Sequence, residues 1–213
     1  MKRRVLGYYD YTVVLTYCGM LSAFYGILCA IGQNFGMSVV CLMIAGGCDM
    51  FDGAVASTKD RTKSEKRFGI QIDSLSDLIS FGILPAIFVY MISERNAIAG
   101  GIAALFALCA LIRLAYFNVL EEERQNETTE RRKTFLGVPV TTIAILLPIV
   151  YMVYDYRVCQ NARCFTILLL VLGIGFLSPV EIKKPGMVGK LCLLLIGLFE
   201  AVGMFLFMGW DVI

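Results

Sequence analysis

The chain has 213 residues, 58% of them hydrophobic and 17% charged, with a formal net charge of +2 and a mean hydropathy of +0.75. That balance is too apolar for an ordinary soluble domain, and no nucleic-acid partner is expected. Histidine is absent, which excludes His-based zinc sites and His general bases and leaves carboxylates to carry the chemistry.

Crossing a hydrocarbon core takes about 20 helical residues. Apolar runs of roughly that length predict spans at 11–32, 36–57, 69–92, 97–120, 138–155, 163–180 and 187–209. The runs are continuous Leu, Ile, Val, Phe, Ala and Gly rather than short alternating strands, so a closed barrel does not fit and the fold class is all-α, a polytopic transmembrane helical bundle. Nearly the whole chain is accounted for by spans, and one membrane domain over 1–213 is expected. Lys2, Arg3 and Arg4 lead into the first run without a small-residue cleavage pattern, so that run is expected to be retained. Most cysteines (Cys18, Cys29, Cys41, Cys48, Cys109, Cys192) lie inside apolar runs, where a free thiol acts as a small hydrophobe.

The second and third spans carry Asp49 and Asp52, then Asp73 and Asp77, on either side of a basic loop with Lys59, Arg61, Lys63, Lys66 and Arg67. The fourth span contains Arg113 and is followed by the mixed-charge stretch EEERQNETTERRK at 121–133, which reads as a solvated loop or short surface helix. Pro85, Gly137 and Pro139 mark backbone irregularities, and Glu200 is an acid in the last span with no evident role. Of the nineteen basic residues, only Arg95, Arg157 and Arg163 fall on the side opposite the N-terminus, and Arg113 lies within a span. By the positive-inside rule the N-terminus and the aspartate end face the cytoplasm, in a multi-pass protein of the cell membrane.

An aspartate at mid-membrane costs about 3 kcal/mol on insertion scales, so four without partners would cost roughly 10 kcal/mol. The spacings i,i+3 for Asp49 and Asp52 and i,i+4 for Asp73 and Asp77 put each pair on one helix face. The hairpin at about 36–92 brings all four to one depth. Four carboxylates there repel one another unless cations lie between them, and all-oxygen ligation suits Mg²⁺ or Mn²⁺. Two such ions about 3.5–4 Å apart are a known arrangement for displacement at phosphorus. The competing readings are ion pairs with the basic loop 59–67, helix capping, or a carboxylate-based cation pathway.

DMFDGAVAS at 49–57 followed by FGIQIDSLSD at 68–77 resembles the signature of the CDP-alcohol phosphotransferases, D-x2-D-G-x2-A-R-x8-G-x3-D-x3-D. Asp49, Asp52, Gly53, Ala56, Gly69, Asp73 and Asp77 match it. Ser57 stands where the family usually has arginine, and eleven residues rather than eight separate it from Gly69. Lys59, Arg61, Lys63 and Arg67 are candidates to replace the missing cation. DSLSDLISFGILPA at 73–86, RLAYFNV at 113–119 and FLGVPVTT at 135–142, with a fainter FLSPVEIKK at 176–184, look like the corresponding stretches of the serine-using branch of that family.

The resemblance implies a six-helix core with one additional C-terminal span, and a homodimer. It implies transfer of a phosphatidyl group from CDP-diacylglycerol to L-serine, giving phosphatidylserine and CMP, with two Mg²⁺ or Mn²⁺ ions. Asp49, Asp52, Asp73 and Asp77 would be the metal ligands, Asp77 also the general base, and Gly53, Ala56 and Gly69 would line the nucleotide site. Arg113, Asn118 and Lys133 are candidates for binding serine or phosphate. The alternatives are a sibling enzyme using glycerol phosphate or inositol phosphate, and an ion transporter.

Overall fold

The computed structural model describes residues 7–127, 134–156, 161–183 and 187–207. After a short 3-10 turn at Tyr11–Val13 the chain forms α1 (Val14–Ile31), α2 (Phe35–Ala56), α3 (Lys63–Asp77), α4 (Leu84–Ile92), α5 (Ala97–Glu127), α6 (Ile143–Asp155), α7 (Arg163–Leu177) and α8 (Met187–Phe207). α3 and α4 are joined without a loop by a π-helical turn at Leu78–Ile83, so the third rod runs from Lys63 to Ile92.

Seven rods result among the described residues, as the hydropathy predicts, and the protein is a polytopic helical membrane protein. Four rods are long and apolar enough to cross a bilayer: Tyr11–Ile31, Phe35–Ala56, Lys63–Ile92 and Ala97–Arg124.

Three of the boundaries that differ from the expectation have a local reason. The third rod starts at Lys63 rather than 69, because Thr62 and Glu65 form a reciprocal capping box. Thr62 N donates to Glu65 Oε2 at 2.7 Å and Glu65 N to Thr62 Oγ1 at 3.3 Å, satisfying two end donors. α5 continues past 120 to Glu127, so the first half of the mixed-charge stretch is helix, with Arg124 paired to Glu121 at 2.5 Å one turn back. α7 stops at Leu177 because Ser178, which precedes Pro179, is extended; a residue before proline is pushed out of the helical region.

Beyond α7 the chain forms β2 (Glu181–Lys183), which pairs antiparallel with β1 (Thr134–Leu136) in the register Phe135 opposite Ile182. This small ribbon was not expected from the sequence. Gly137, at φ +70°, turns the chain out of β1, and its N–H donates to the carbonyl of Val180 at 2.8 Å. A Cβ there would lie 2.9 Å from the carbonyl oxygens of Phe176 and Ser178, so only glycine fits.

α1 and α2 form the tightest hairpin, with Gly26 facing the Cβ of Cys41 and Gly19 that of Cys48; small residues let the backbones approach. Away from the site, Phe88 anchors the interior, contacting Phe35, Tyr151 and Phe165 edge-on at 5.5 to 5.9 Å. The outer faces carry exposed Leu21, Phe24 and Leu28 on α1, Leu105 and Leu108 on α5, Ile167 and Ile174 on α7, and Leu198 and Phe199 on α8. Apolar surface on that scale suits lipid rather than water.

Candidate active site

Asp49 and Asp52, three residues apart on α2, face Asp73 and Asp77, four apart on α3. All four line one cavity with Thr16 of α1 and Ser76, Ser80 and Phe81 of the third rod. One carboxylate oxygen from each of Asp49, Asp52 and Asp73 lies within 4.8 Å of the others. Asp77 lines the same cavity without belonging to that tight group.

The π-helical turn begins at the residue after Asp77 and carries Ser80 and Phe81 to the cavity wall. Such turns are frequent at functional sites because the extra residue re-aims the following face.

The competing ion-pair reading fails among the described residues. Lys59 pairs with Asp10 at 2.7 Å and more loosely with Glu65 at 3.9 Å, and Arg67 pairs with Glu122 at 3.5 Å. None of these cations reaches the four aspartates. Asp73 Oδ1 is buried with no hydrogen-bond donor among the described residues, a costly state for a carboxylate oxygen. Three converging carboxylates, one with an orphaned oxygen, form a hard all-oxygen donor set, and a divalent cation fits it.

Two contacts hold the trio from the first span. The Thr16 hydroxyl donates to Asp52 Oδ2 at 3.2 Å, and the Ser76 hydroxyl donates to the Thr16 carbonyl at 3.3 Å. Neither residue was singled out from the sequence. The available signal was a hydroxyl residue inside an apolar run, a common partner across membrane helices.

The remaining candidates are distributed as follows. Arg113 is buried, 6% exposed, with its guanidinium 4.7 Å from the centroid of the Phe117 ring and its Nε without an acceptor; its charge interacts with that of Asp77. Asn118 ties α5 to α3: Ser74 Oγ donates to its Oδ1 at 2.7 Å, and its Nδ2 donates to Gln71 Oε1 at 3.4 Å. Gly53 is exposed with open space where a Cβ would stand, and Ala56 is half-buried one turn further on. Gly69 lies against Arg61, whose Nη1 is 2.9 Å from the position a Cβ would take. Lys133 lies outside the described residues. Glu200 is buried, with neither carboxylate oxygen hydrogen-bonded among the described residues.

At the end of the hairpin that carries the loop, the segment before α1 is strapped to the α2–α3 connection. Asp10 accepts from Lys59 and from the Thr12 hydroxyl, Tyr11 OH meets Thr58 Oγ1 at 3.1 Å, and the rings of Tyr8 and Phe68 lie 5.3 Å apart. The Lys59 ammonium, helped by Thr12, pulls the Asp10 carboxyl down to about 2.

The chain matches the CDP-alcohol phosphatidyltransferase family over residues 12–177. It is 28% identical over 178 residues to the CDP-diacylglycerol–serine O-phosphatidyltransferase of Helicobacter pylori, covering 80% of this chain and 69% of the relative. It is 30% identical over 192 residues to the protein of the same name from Methanocaldococcus jannaschii, covering 85% and 83%. To the archaetidylserine synthase of Methanothermobacter thermautotrophicus it is 29% identical over 164 residues, covering 76% and 65%.

Proposed function

The chain belongs to the CDP-alcohol phosphatidyltransferase family, and on that premise we propose that it transfers the phosphatidyl group of CDP-diacylglycerol to the hydroxyl of L-serine. The products are phosphatidylserine and CMP. The observation that carries this reading is the convergence of Asp49, Asp52 and Asp73 within 4.8 Å beside Asp77. Relatives named for serine transfer support the choice of acceptor.

In this reading the chain forms one catalytic membrane domain around the hairpin 36–92. Asp49, Asp52 and Asp73 hold the metal, with Asp77 at its margin. Mg²⁺ or Mn²⁺, two ions in this reading, would supply positive charge at the pyrophosphate when bound. Asp77 takes the proton of the serine hydroxyl, as its place in the cavity outside the tight trio allows. The serine oxygen then bonds to the lipid-side phosphorus as the bond from that phosphorus to the bridging oxygen breaks, and CMP departs.

Arg113, buried beside Asp77 with a free Nε, binds the serine carboxylate, and a guanidinium fork suits a planar carboxylate. Asn118 contributes by fixing α5 against α3, with Lys133 reserved as a contact to phosphate. Gly53, Ala56 and Gly69 leave room for the nucleotide beyond the aspartates. We further propose that this end faces the cytoplasm, supported by the distribution of basic residues, and that two copies associate as a homodimer.

Acceptors carrying a phosphate would call for several cations converging on the cavity, and Arg113 is the basic side chain described as buried within a span. Family membership argues against the transporter reading. The test is product identity: purified protein given CDP-diacylglycerol with L-serine, glycerol phosphate or inositol phosphate, and the lipid product determined by mass spectrometry. Phosphatidylserine alone is expected; a product from glycerol phosphate or inositol phosphate with none from serine would overturn the acceptor assignment.

A further inference from the structure

The geometry points to Arg61 as the residue that binds the diphosphate of the nucleotide lipid, in place of the basic side chain absent at Ser57. The inference rests on the nucleotide-lipid reading above and identifies which of the loop's cations serves it.

Ser57 does not take the role itself. Its hydroxyl turns back to donate to the Ala54 carbonyl at 2.7 Å, ending its own helix. Among the other cations of the loop, Lys59 is held by Asp10 and Glu65, and Arg67 by Glu122. Lys63 and Lys66 are exposed in the first turn of α3.

Arg61 differs from all of these. It is half-buried, makes no ion pair among the described residues, and its Nε is buried without an acceptor. A buried N–H left without an acceptor is costly, and more so on a charged group. The side chain is ready for an anion that the described part of the chain does not supply.

Its position matches the need. The guanidinium packs on the bare backbone of Gly69, and Gly69 is four residues before Asp73 on the same face of α3. The helix position that Arg61 covers, Gly69, therefore lies one turn, about 6 Å along the axis, nearer the loop than Asp73. A diphosphate reaching from the trio toward the end of the hairpin meets Arg61. A guanidinium binds two phosphate oxygens in parallel, which an ammonium cannot. Gly69 thereby acquires a second reason: any side chain there would displace Arg61.

Calorimetric titration of the purified full chain with CDP in the presence of Mn²⁺ tests this. Losing a charge-assisted contact should weaken CDP binding about 10- to 100-fold in R61Q, with R61K intermediate and K63Q close to wild type. Adding Ser57→Arg to R61Q should recover affinity. Should R61Q not purify as a folded protein, R61K reads the same contact, because it keeps the charge and removes the planar fork; it too should weaken CDP binding. Wild-type affinity in R61Q or in R61K, or a loss in R61Q no larger than in K63Q, would overturn the role of Arg61. Failure of the wild-type chain to bind CDP at all would instead contradict the nucleotide-lipid reading.

Discussion

The Thr16 hydroxyl donates a hydrogen bond of 3.2 Å to Oδ2 of Asp52, joining the first span to the second across 36 residues of sequence. Thr16 is buried, and its carbonyl accepts from Ser76 of the third rod, so one residue of α1 touches both arms of the catalytic hairpin. A group that orients a ligand in this way typically contributes 10- to 100-fold to metal affinity. Thr16→Val, which keeps the shape and removes the donor, should weaken Mn²⁺ binding to the protein by about that factor, and Thr16→Ser should restore it. Electron paramagnetic resonance of free Mn²⁺ measures both. Wild-type affinity in T16V would leave Thr16 as a packing residue only.

Asp77 lines the cavity but stands outside the group of three. Asp77→Asn should therefore lower kcat by about 10²- to 10⁴-fold, the usual worth of a general base, while Mn²⁺ affinity changes little. Single-turnover CMP release alongside metal titration separates the two effects. Retained turnover would remove Asp77 as the base.

Arg113 has a buried Nε without an acceptor among the described residues and lies against Phe117. Arg113→Ala should raise the KM for serine about 10- to 100-fold, the worth of a charge-assisted contact, and leave the KM for CDP-diacylglycerol nearly unchanged. Arg113→Lys should recover only part of this, because an ammonium lacks the planar fork. Equal losses toward both substrates would make Arg113 a structural residue.

The strap from Asp10 to Lys59 carries a pH signature outside the membrane. The folded-state pKa of Asp10, about 2, is below the ordinary carboxyl value, so deprotonation is favoured by folding. Its contribution to stability is complete above the ordinary value of about 4 and is lost as pH falls toward 2. Asp10→Asn should be less stable than wild type at neutral pH, and the gap should close between about pH 4 and pH 2. Thermal unfolding of the two proteins in detergent across that range checks it; a gap independent of pH would mean that the charge of Asp10 plays no part.

The four aspartates were legible in the sequence because carboxylates in apolar runs are expensive and their i,i+3 and i,i+4 spacing fixes a face. The rods were legible for the same reason of hydropathy. Thr16 and Ser76 were not, since a hydroxyl in a membrane helix carries little cost and nothing in the chain's order links residue 16 to residue 52. The start of α3 at Lys63 was written in the Thr62 and Glu65 pair, but hydropathy alone weighs those residues as loop. The π-helical turn after Asp77 packs against α1 and α5, and no local sequence pattern marks it. The pairing of β1 with β2 joins three-residue segments about 47 residues apart, with too little local pattern to read. That Lys59 and Arg67 are taken up in ion pairs could be learned only from where Asp10, Glu65 and Glu122 lie.

Anomalous scattering from crystals of the protein grown with Mn²⁺ tests the metal site most directly, because it gives the position of the ion. A peak is expected between the carboxylates of Asp49, Asp52 and Asp73, reduced or lost in Asp73→Asn. A protein active in transfer, with Mn²⁺ bound elsewhere or no peak at those three side chains, would contradict that site.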